Sequence, residues 1–379
     1  MSGVRILMAA GGTGGHVMPA LAAAVAVREL DPGARFLFVG AGRPAEEAVL
    51  GPGGWDRVSV KAMPLKGRGL LAKAKGALWA ARAVFQAMRI LKAFGPDLAF
   101  GAGGYSSGPV GLAAWLMGVP LYLHEQNRRP GLTNRMLARL AARVFLGDAG
   151  AAAGFPSGKT LFCGNPVRPE IFADSPKRFG GSRPFTLLVL GGSQGAESLN
   201  RAVAGALEGL KALHGGVRVV HQAGQAGEAA LRPAYEASGL DFELGAFFTD
   251  MARLYKEADL ALCRAGALTL AELAAAGVPS ALVPLPWAAD DHQTENARAF
   301  EDAGAALLVP EQTLTSGKIV MLVEGFLDVP RRLGKMSEAA LGLARRDSAN
   351  VMAKELLRAA LSRRGRKAKK AGEVHRTVL

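Results

Sequence analysis

VRILMAAGGTGGHVMPAL, residues 4–21, and FTLLVLGGSQGAESLN, residues 185–200, decide the fold. In each, an apolar run that reads as a strand (Val4–Ala9, Phe185–Leu190) enters a glycine loop (Gly11-Gly12-Thr13-Gly14-Gly15-His16, Gly191-Gly192-Ser193-Gln194-Gly195) and then a helix. A third such unit follows Asp97–Phe100, at Gly101-Ala102-Gly103-Gly104-Tyr105-Ser106-Ser107-Gly108. This arrangement presents bare backbone N–H groups and the positive end of a helix, where an anion docks. Three loops split between two halves of the chain point to two phosphate-bearing substrates. Tight packing alone also calls for glycine at a strand-to-helix turn, and any single loop leaves that alternative open.

A nicotinamide or flavin site requires Gly-x-Gly-x-x-Gly and an acidic residue ending the next strand. Counted from Gly12, the third glycine falls on Val17, and the next strand, Phe36–Val39, runs into Gly40-Ala41-Gly42-Arg43. The first loop therefore argues against a dinucleotide.

Strand and helix patterns alternate along nearly the whole chain, which implies α/β layers with parallel sheets. The cycle restarts at Phe185, so two Rossmann-like domains are expected: 1–164 and 165–345, with a hinge near Gly164-Asn165-Pro166. Ser175–Pro184, rich in Gly, Pro and charge, reads as a surface loop just inside the second domain. A last helix, 346–362, is expected to return to the first domain, and the basic run 363–379 to form a disordered tail. Two such domains face a central cleft at the carboxyl ends of their strands, and all three glycine loops would line it.

The chain of 379 residues is half hydrophobic, enough for two full cores. Two distant cysteines, Cys163 and Cys263, form neither a metal spacing nor a disulfide framework and read as core residues of a reducing compartment. No leader pattern and no run of about 18 uncharged apolar residues is found, so neither export nor a membrane span is expected. A net charge of +14 suits nucleic acid, anionic lipid or phosphorylated substrates. Scarce aromatics, at 6%, and the lack of any nucleic-acid-binding motif turn the reading away from nucleic acid.

Seven motifs in order are far more specific: Gly11–Leu21 (GGTGGHVMPAL), Gly103–Pro109 (GGYSSGP), His124–Asn127 (HEQN) with Pro130–Asn134 (PGLTN), Gly164–Arg168 (GNPVR), Gly191–Asn200 (GGSQGAESLN), Cys263–Glu272 (CRAGALTLAE) and Asp290–Asn296 (DDHQTEN). Over residues 4–350 they resemble the MurG family, inverting glycosyltransferases of the GT-B fold that transfer N-acetylglucosamine from its UDP donor to the C4 hydroxyl of lipid I in peptidoglycan synthesis. The resemblance implies the donor on the second domain and the lipid acceptor on the first. It also implies a peripheral enzyme at the cytoplasmic face of the bacterial plasma membrane, with cell-division and cell-wall synthesis proteins as partners. Another UDP-sugar:lipid transferase, such as a diacylglycerol glucosyltransferase, and a silent nucleotide-sugar-binding scaffold are the alternatives; HEQN and GGYSSG speak against the first and the intact polar residues against the second.

On the donor side, Ser193 and Gln194 belong to the loop expected to hold the diphosphate. Ala267, Leu268 and Thr269 begin a helix after Gly266, and Glu272 further along it is suited to accept two ribose hydroxyls. Glu272 in that position also reads as ordinary first-turn helix stabilisation. By resemblance Arg168 contacts the donor, the Phe248 backbone meets the uracil, and Gln293 with Asn296 meets the sugar hydroxyls. On the acceptor side Gly12, Gly104, Tyr105 and Ser106 are expected around the diphosphate, Thr13, Gly14 and Gly15 are expected to bind substrate, and Asn127 is expected at the sugar. The base is sought among His16, His124 and Glu125. His16 lies at a helix start signalled by Pro19, where the helix's positive end favours a neutral ring able to take a proton, though a cap or phosphate ligand would also sit there. No Asp-x-Asp metal signature ends a strand, so no obligatory metal or other cofactor is expected.

Gly69–Phe94, wound as a helix, gathers Leu70, Ala77, Ala81, Val84, Met88 and Leu91 on one face. Leu71, Lys75, Leu78, Trp79, Arg82, Phe85 and Arg89 fall on the other. Apolar groups interleaved with cations match an interfacial helix on anionic lipid, the alternative being a helix buried on both sides.

Overall fold

The computed structural model describes residues 3–11, 14–60, 70–181, 183–192, 195–288 and 291–377, with backbone alone for 45, 70–75, 77, 105, 368 and 370–377. The chain forms two compact units, Met1–Pro166 with Asp347–Leu379, and Val167–Arg346.

The first unit carries a seven-stranded sheet in the order β3-β2-β1-β4-β5-β6-β7. Its strands are β1 (Arg5–Ala9), β2 (Arg35–Gly40), β3 (Arg57–Ser59), β4 (Leu98–Gly101), β5 (Leu121–Glu125), β6 (Arg143–Leu146) and β7 (Thr160–Phe162). Every pairing is parallel. A parallel sheet is covered on both faces, so its central strands are apolar throughout instead of alternating. In β1, Ile6 and Met8 pack on one side with helices α1 (Gly14–Leu30) and α2 (Pro44–Leu50), while Leu7 and Ala9 pack on the other. That other side is covered by α3 (Leu70–Phe94), α4 (Gly104–Leu116) and α5 (Leu132–Ala138).

The second unit repeats the plan in six parallel strands, order β10-β9-β8-β11-β12-β13. These are β8 (Phe185–Leu190), β9 (Val217–Gln222), β10 (Asp241–Gly245), β11 (Leu260–Cys263), β12 (Ser280–Leu282) and β13 (Ala306–Leu308). Helices α6 (Glu197–Ala204), α7 (Leu207–Lys211), α8 (Gln225–Ser238), α12 (Ser316–Asp328) and α13 (Arg331–Leu343) close one face. On the other lie α9 (Met251–Glu257), α10 (Ala267–Ala276) and α11 (His292–Asp302).

The last helix, α14 (Ser348–Thr377), places Met352, Ala353, Leu356 and Ala360 in the core of the first unit beside α1. It runs past residue 362, where the sequence reading begins a disordered tail. Arg364 explains part of the extension: its Nε meets the buried Asp97 carboxylate at 2.6 Å and its Nη2 donates to the Gly3 carbonyl. The break between units falls two residues later than the expected Gly164/Asn165 boundary, because the Asn165 side chain is buried and donates to the Gln126 carbonyl. Ser175–Pro184 is a loop of the second unit, tied down by Lys177, whose Nζ donates to the Lys256 and Ala258 carbonyls. Both cysteines are free and buried. Among the described residues no helix is long and apolar enough to cross a membrane.

Candidate active site

β1 pairs with both β2 and β4, and β8 with both β9 and β11, so the strand order reverses at β1/β4 and at β8/β11. Loops leaving the two strands at such a point diverge and open a crevice at the carboxyl edge. The three glycine loops and the Gly266 turn sit on those four strands.

In the first unit the loops after β1 and β4 touch. Gly103 and Gly104 hold φ of +91° and +77°, a region that favours glycine, and a Cβ on Gly104 would collide with the Gly11 carbonyl. His16, in the first turn of α1 and half-buried, lies over this backbone; a Cβ on Gly103 would come within 3.0 Å of its Cδ2. Ser106 is fully buried, and among the described residues its Oγ has no hydrogen-bond partner. Gly12 and Thr13, and the Tyr105 side chain, lie outside the described residues.

The other two expected bases are differently placed. His124, the last residue but one of β5, is fully buried, its Nδ1 3.0 Å from the Gln126 amide nitrogen, which can only donate, so Nδ1 accepts. Burial pushes its pKa down to about 4, so the ring is neutral and enclosed. Glu125, also buried, has both oxygens engaged: Oε1 accepts from Asn127 N and Nδ2, Oε2 from Gly131 N and the Asn134 amide. Its carboxylate shapes the turn that carries Asn127. Asn134, to which the sequence reading gives no role, is buried beside this turn, its Oδ1 without a partner among the described residues. Its place in PGLTN is the only signal that marks it.

Glu46 is a second surprise. The sequence has no acidic residue ending β2, yet the buried Glu46 carboxylate folds back from α2 into that loop. Its oxygens accept the Ala41 and Gly42 N–H groups, a loop cap rather than a ribose site.

In the second unit, the N-cap of α10 is Gly266, which has no side chain to take the first-turn N–H groups. Glu272 is the sixth residue of α10, beyond the first turn, so the simple helix-stabilising reading does not apply. It is raised in pKa chiefly by burial, opposed by the Tyr255 hydroxyl, which donates to Oε2 at 2.8 Å, and by Arg168. Among the described residues the buried Arg168 Nε has no partner. Sequence reasoning missed Tyr255, on α9, because only the packing of α9 against α10 brings it to Glu272.

Two expected sugar contacts act on the protein itself. Gln293 Oε1 accepts Leu285 N, and the buried Asn296 amide donates to the Ala265 carbonyl, fixing the turn before α10. The Phe248 N–H is taken by Gln222 Oε1. Arg264, unremarked in the sequence, bridges Glu311, Ser198 and the Val283 carbonyl, tying the β11 loop to α6. Ser193, Gln194 and Asp290 lie outside the described residues. Among the described residues no group of three or more His, Cys, Asp or Glu could hold a metal ion.

On α3, Leu78, Trp79 and Phe85 are 63%, 45% and 56% exposed, with Arg82 and Arg89 stacked over Trp79 and Phe85. The Leu71 and Lys75 side chains lie outside the described residues, as do those of Leu70 and Ala77. The buried face is rotated from expectation: Ala83, Ala87 and Leu91 are buried and Ala81 is exposed, since the position of α4 selects the stripe. α4 adds exposed Leu112, Trp115 and Leu116, which the sequence reading did not single out.

Residues 6–146 match the glycosyltransferase family 28 N-terminal domain and residues 186–354 its C-terminal domain. A UDP-N-acetylglucosamine--N-acetylmuramyl-(pentapeptide) pyrophosphoryl-undecaprenol N-acetylglucosamine transferase of Syntrophus aciditrophicus is 41% identical over 90% of this chain and 94% of its own. The crystal structure of Acinetobacter baumannii MurG superposes with a TM-score of 0.75 at 32% identity, covering 94% of this chain and 99% of that one. The chain belongs to the MurG family. It is thus a glycosyltransferase with the GT-B plan of two parallel-sheet α/β units. A UDP-GlcNAc 2-epimerase from Neisseria meningitidis, with a TM-score of 0.64 at 12% identity over 94% of this chain and all of its own, shares the fold alone.

Proposed function

We propose that this MurG-family enzyme transfers N-acetylglucosamine from UDP-N-acetylglucosamine to the muramyl C4 hydroxyl of lipid I, releasing UDP and forming lipid II. The observation that carries the donor half is Glu272, half-buried and braced by Tyr255 beside Arg168, on a helix capped by Gly266 at the β8/β11 switch point. The carboxylate accepts the ribose hydroxyls, the α10 N-terminus and the 191–195 loop face the diphosphate, and Phe248 and Gln293 border uracil and sugar.

In the first unit His16 is the base. It is the candidate that stays half-exposed, at the helix start, while His124 is enclosed and the Glu125 oxygens are engaged. As the C4 oxygen attacks C1 from the face opposite UDP, its proton passes to His16 and the C1–O bond breaks with inversion. Charge on UDP is met by backbone N–H groups, the helix end and Arg168, without an obligatory metal. Asn127 holds the acceptor sugar, and the turn around Gly104, Tyr105 and Ser106 holds its diphosphate.

The acceptor's polyprenyl chain stays in the bilayer, so the enzyme works on the cytoplasmic surface of the membrane. The exposed face of α3, extended by Trp115 and Leu116 of α4, is the contact with anionic lipid. Purified enzyme given UDP-N-acetylglucosamine and a lipid I analogue should release UDP and disaccharide product in equal amounts. Turnover only with UDP-glucose and diacylglycerol, or none, would overturn the assignment.

A further inference from the structure

A buried polar chain crosses the second unit where the donor reading uses no side chain. Tyr235 on α8, His221 on β9 and Asn200 on α6 are all buried. The Tyr235 hydroxyl lies 2.8 Å from His221 Nδ1, His221 Nε2 3.1 Å from Asn200 Oδ1, and Asn200 Nδ2 2.9 Å from the Ala223 carbonyl.

One end fixes every proton. The Ala223 carbonyl can only accept, so Asn200 turns its NH₂ toward it and its oxygen toward His221. Nε2 therefore carries the hydrogen, and Nδ1 accepts from the Tyr235 hydroxyl. All three bonds run in one direction, an arrangement in which each polarises the next. It requires a neutral ring, and burial lowers the His221 pKa to about 4.

The chain ends on a turn that meets both donor loops. Gln222 ends β9 and Ala223 follows it; the Gln222 carbonyl accepts Gly191 N, and a Cβ on Gly195 would strike the Ala223 carbonyl. On the opposite side Ala223 N donates to the Gly245 carbonyl, and the Gln222 side chain accepts Phe248 N. We infer that His221 is a positioning residue for the nucleotide donor: through Asn200 it holds the 222–223 turn, which sets the spacing between the diphosphate loop and the Phe248 loop. The inference rests on the donor being bound by this unit.

Asn200→Asp tests it with little change of shape, since the new carboxylate still accepts from His221 but repels the Ala223 carbonyl. Its donor KM and its Kd for UDP should rise on the order of tenfold, with the lipid I analogue KM unmoved. Tyr235→Phe removes only the far bond; it should lower Tm while leaving the donor KM within about twofold. If Asn200→Asp does not accumulate folded, Gln222→Met, which removes only the acceptor for Phe248 N, carries the same expectation. Parental donor KM in a folded Asn200→Asp or Gln222→Met variant overturns the inference, as does a change in both KM values that follows Tm across the three variants. A Glu272→Ala control with parental donor KM would instead overturn the donor assignment itself.

Discussion

Replacing Glu272 by Ala separates a ribose ligand from a structural carboxylate. A hydrogen bond to a charged group is worth about 1.5–3 kcal/mol, so losing the hydroxyl contacts should lower donor kcat/KM roughly 10- to 150-fold. Tyr255 already occupies one lone-pair direction on Oε2, which leaves room on the two oxygens for both ribose hydroxyls. Glu272→Ala also strands the buried Tyr255 hydroxyl, at about 1–3 kcal/mol of stability, whereas Glu272→Gln keeps an acceptor for it. The two variants should therefore differ in Tm but both lose donor affinity. The decisive assay is UDP release with UDP-N-acetylglucosamine and its 2′-deoxyribose analogue, as a double-mutant cycle. The deoxy donor should be penalised in the parent and nearly equal to the normal donor in Glu272→Ala. Equal penalties in both proteins would refute the contact, whatever the absolute rates.

His16→Ala should lower kcat by roughly 10²–10⁴-fold with donor affinity nearly unchanged; normal kcat with weakened acceptor binding would make His16 a phosphate ligand. Leu78→Glu with Phe85→Glu should leave folding intact and abolish sedimentation with vesicles containing anionic lipid, while parental binding weakens with salt; unchanged binding would exclude this face of α3. His124 and His221 have folded pKa values near 4, below the unfolded 6.5, so the unfolded chain binds the extra protons and stability falls as pH drops from 6.5 toward 4. Between pH 7 and 5 each should cost roughly 2 kcal/mol, read as a falling urea midpoint; a flat midpoint over that window would contradict their burial as neutral rings.

The fold was legible because its signals are local. An unbroken apolar strand, a glycine turn and a helix start lie within about 18 residues of one another in each half, and backbone sterics leave that pattern few other arrangements. The same nearness put His16, Gly104 and Glu272 in view, since each sits beside its loop. What the sequence did not contain was partnership across distance. Glu125 reads as a free carboxylate until the 127–134 turn folds over it, and Glu272 as a helix charge until Tyr255 arrives from α9. The His221 chain joins three elements at separations of 21 and 14 positions, with no periodicity to announce it. Which stripe of α3 is buried depended likewise on α4. Hydrogen bonds and packing between elements are set by where the sheets place them, so tertiary structure alone decided which polar residues face a ligand and which hold the protein together.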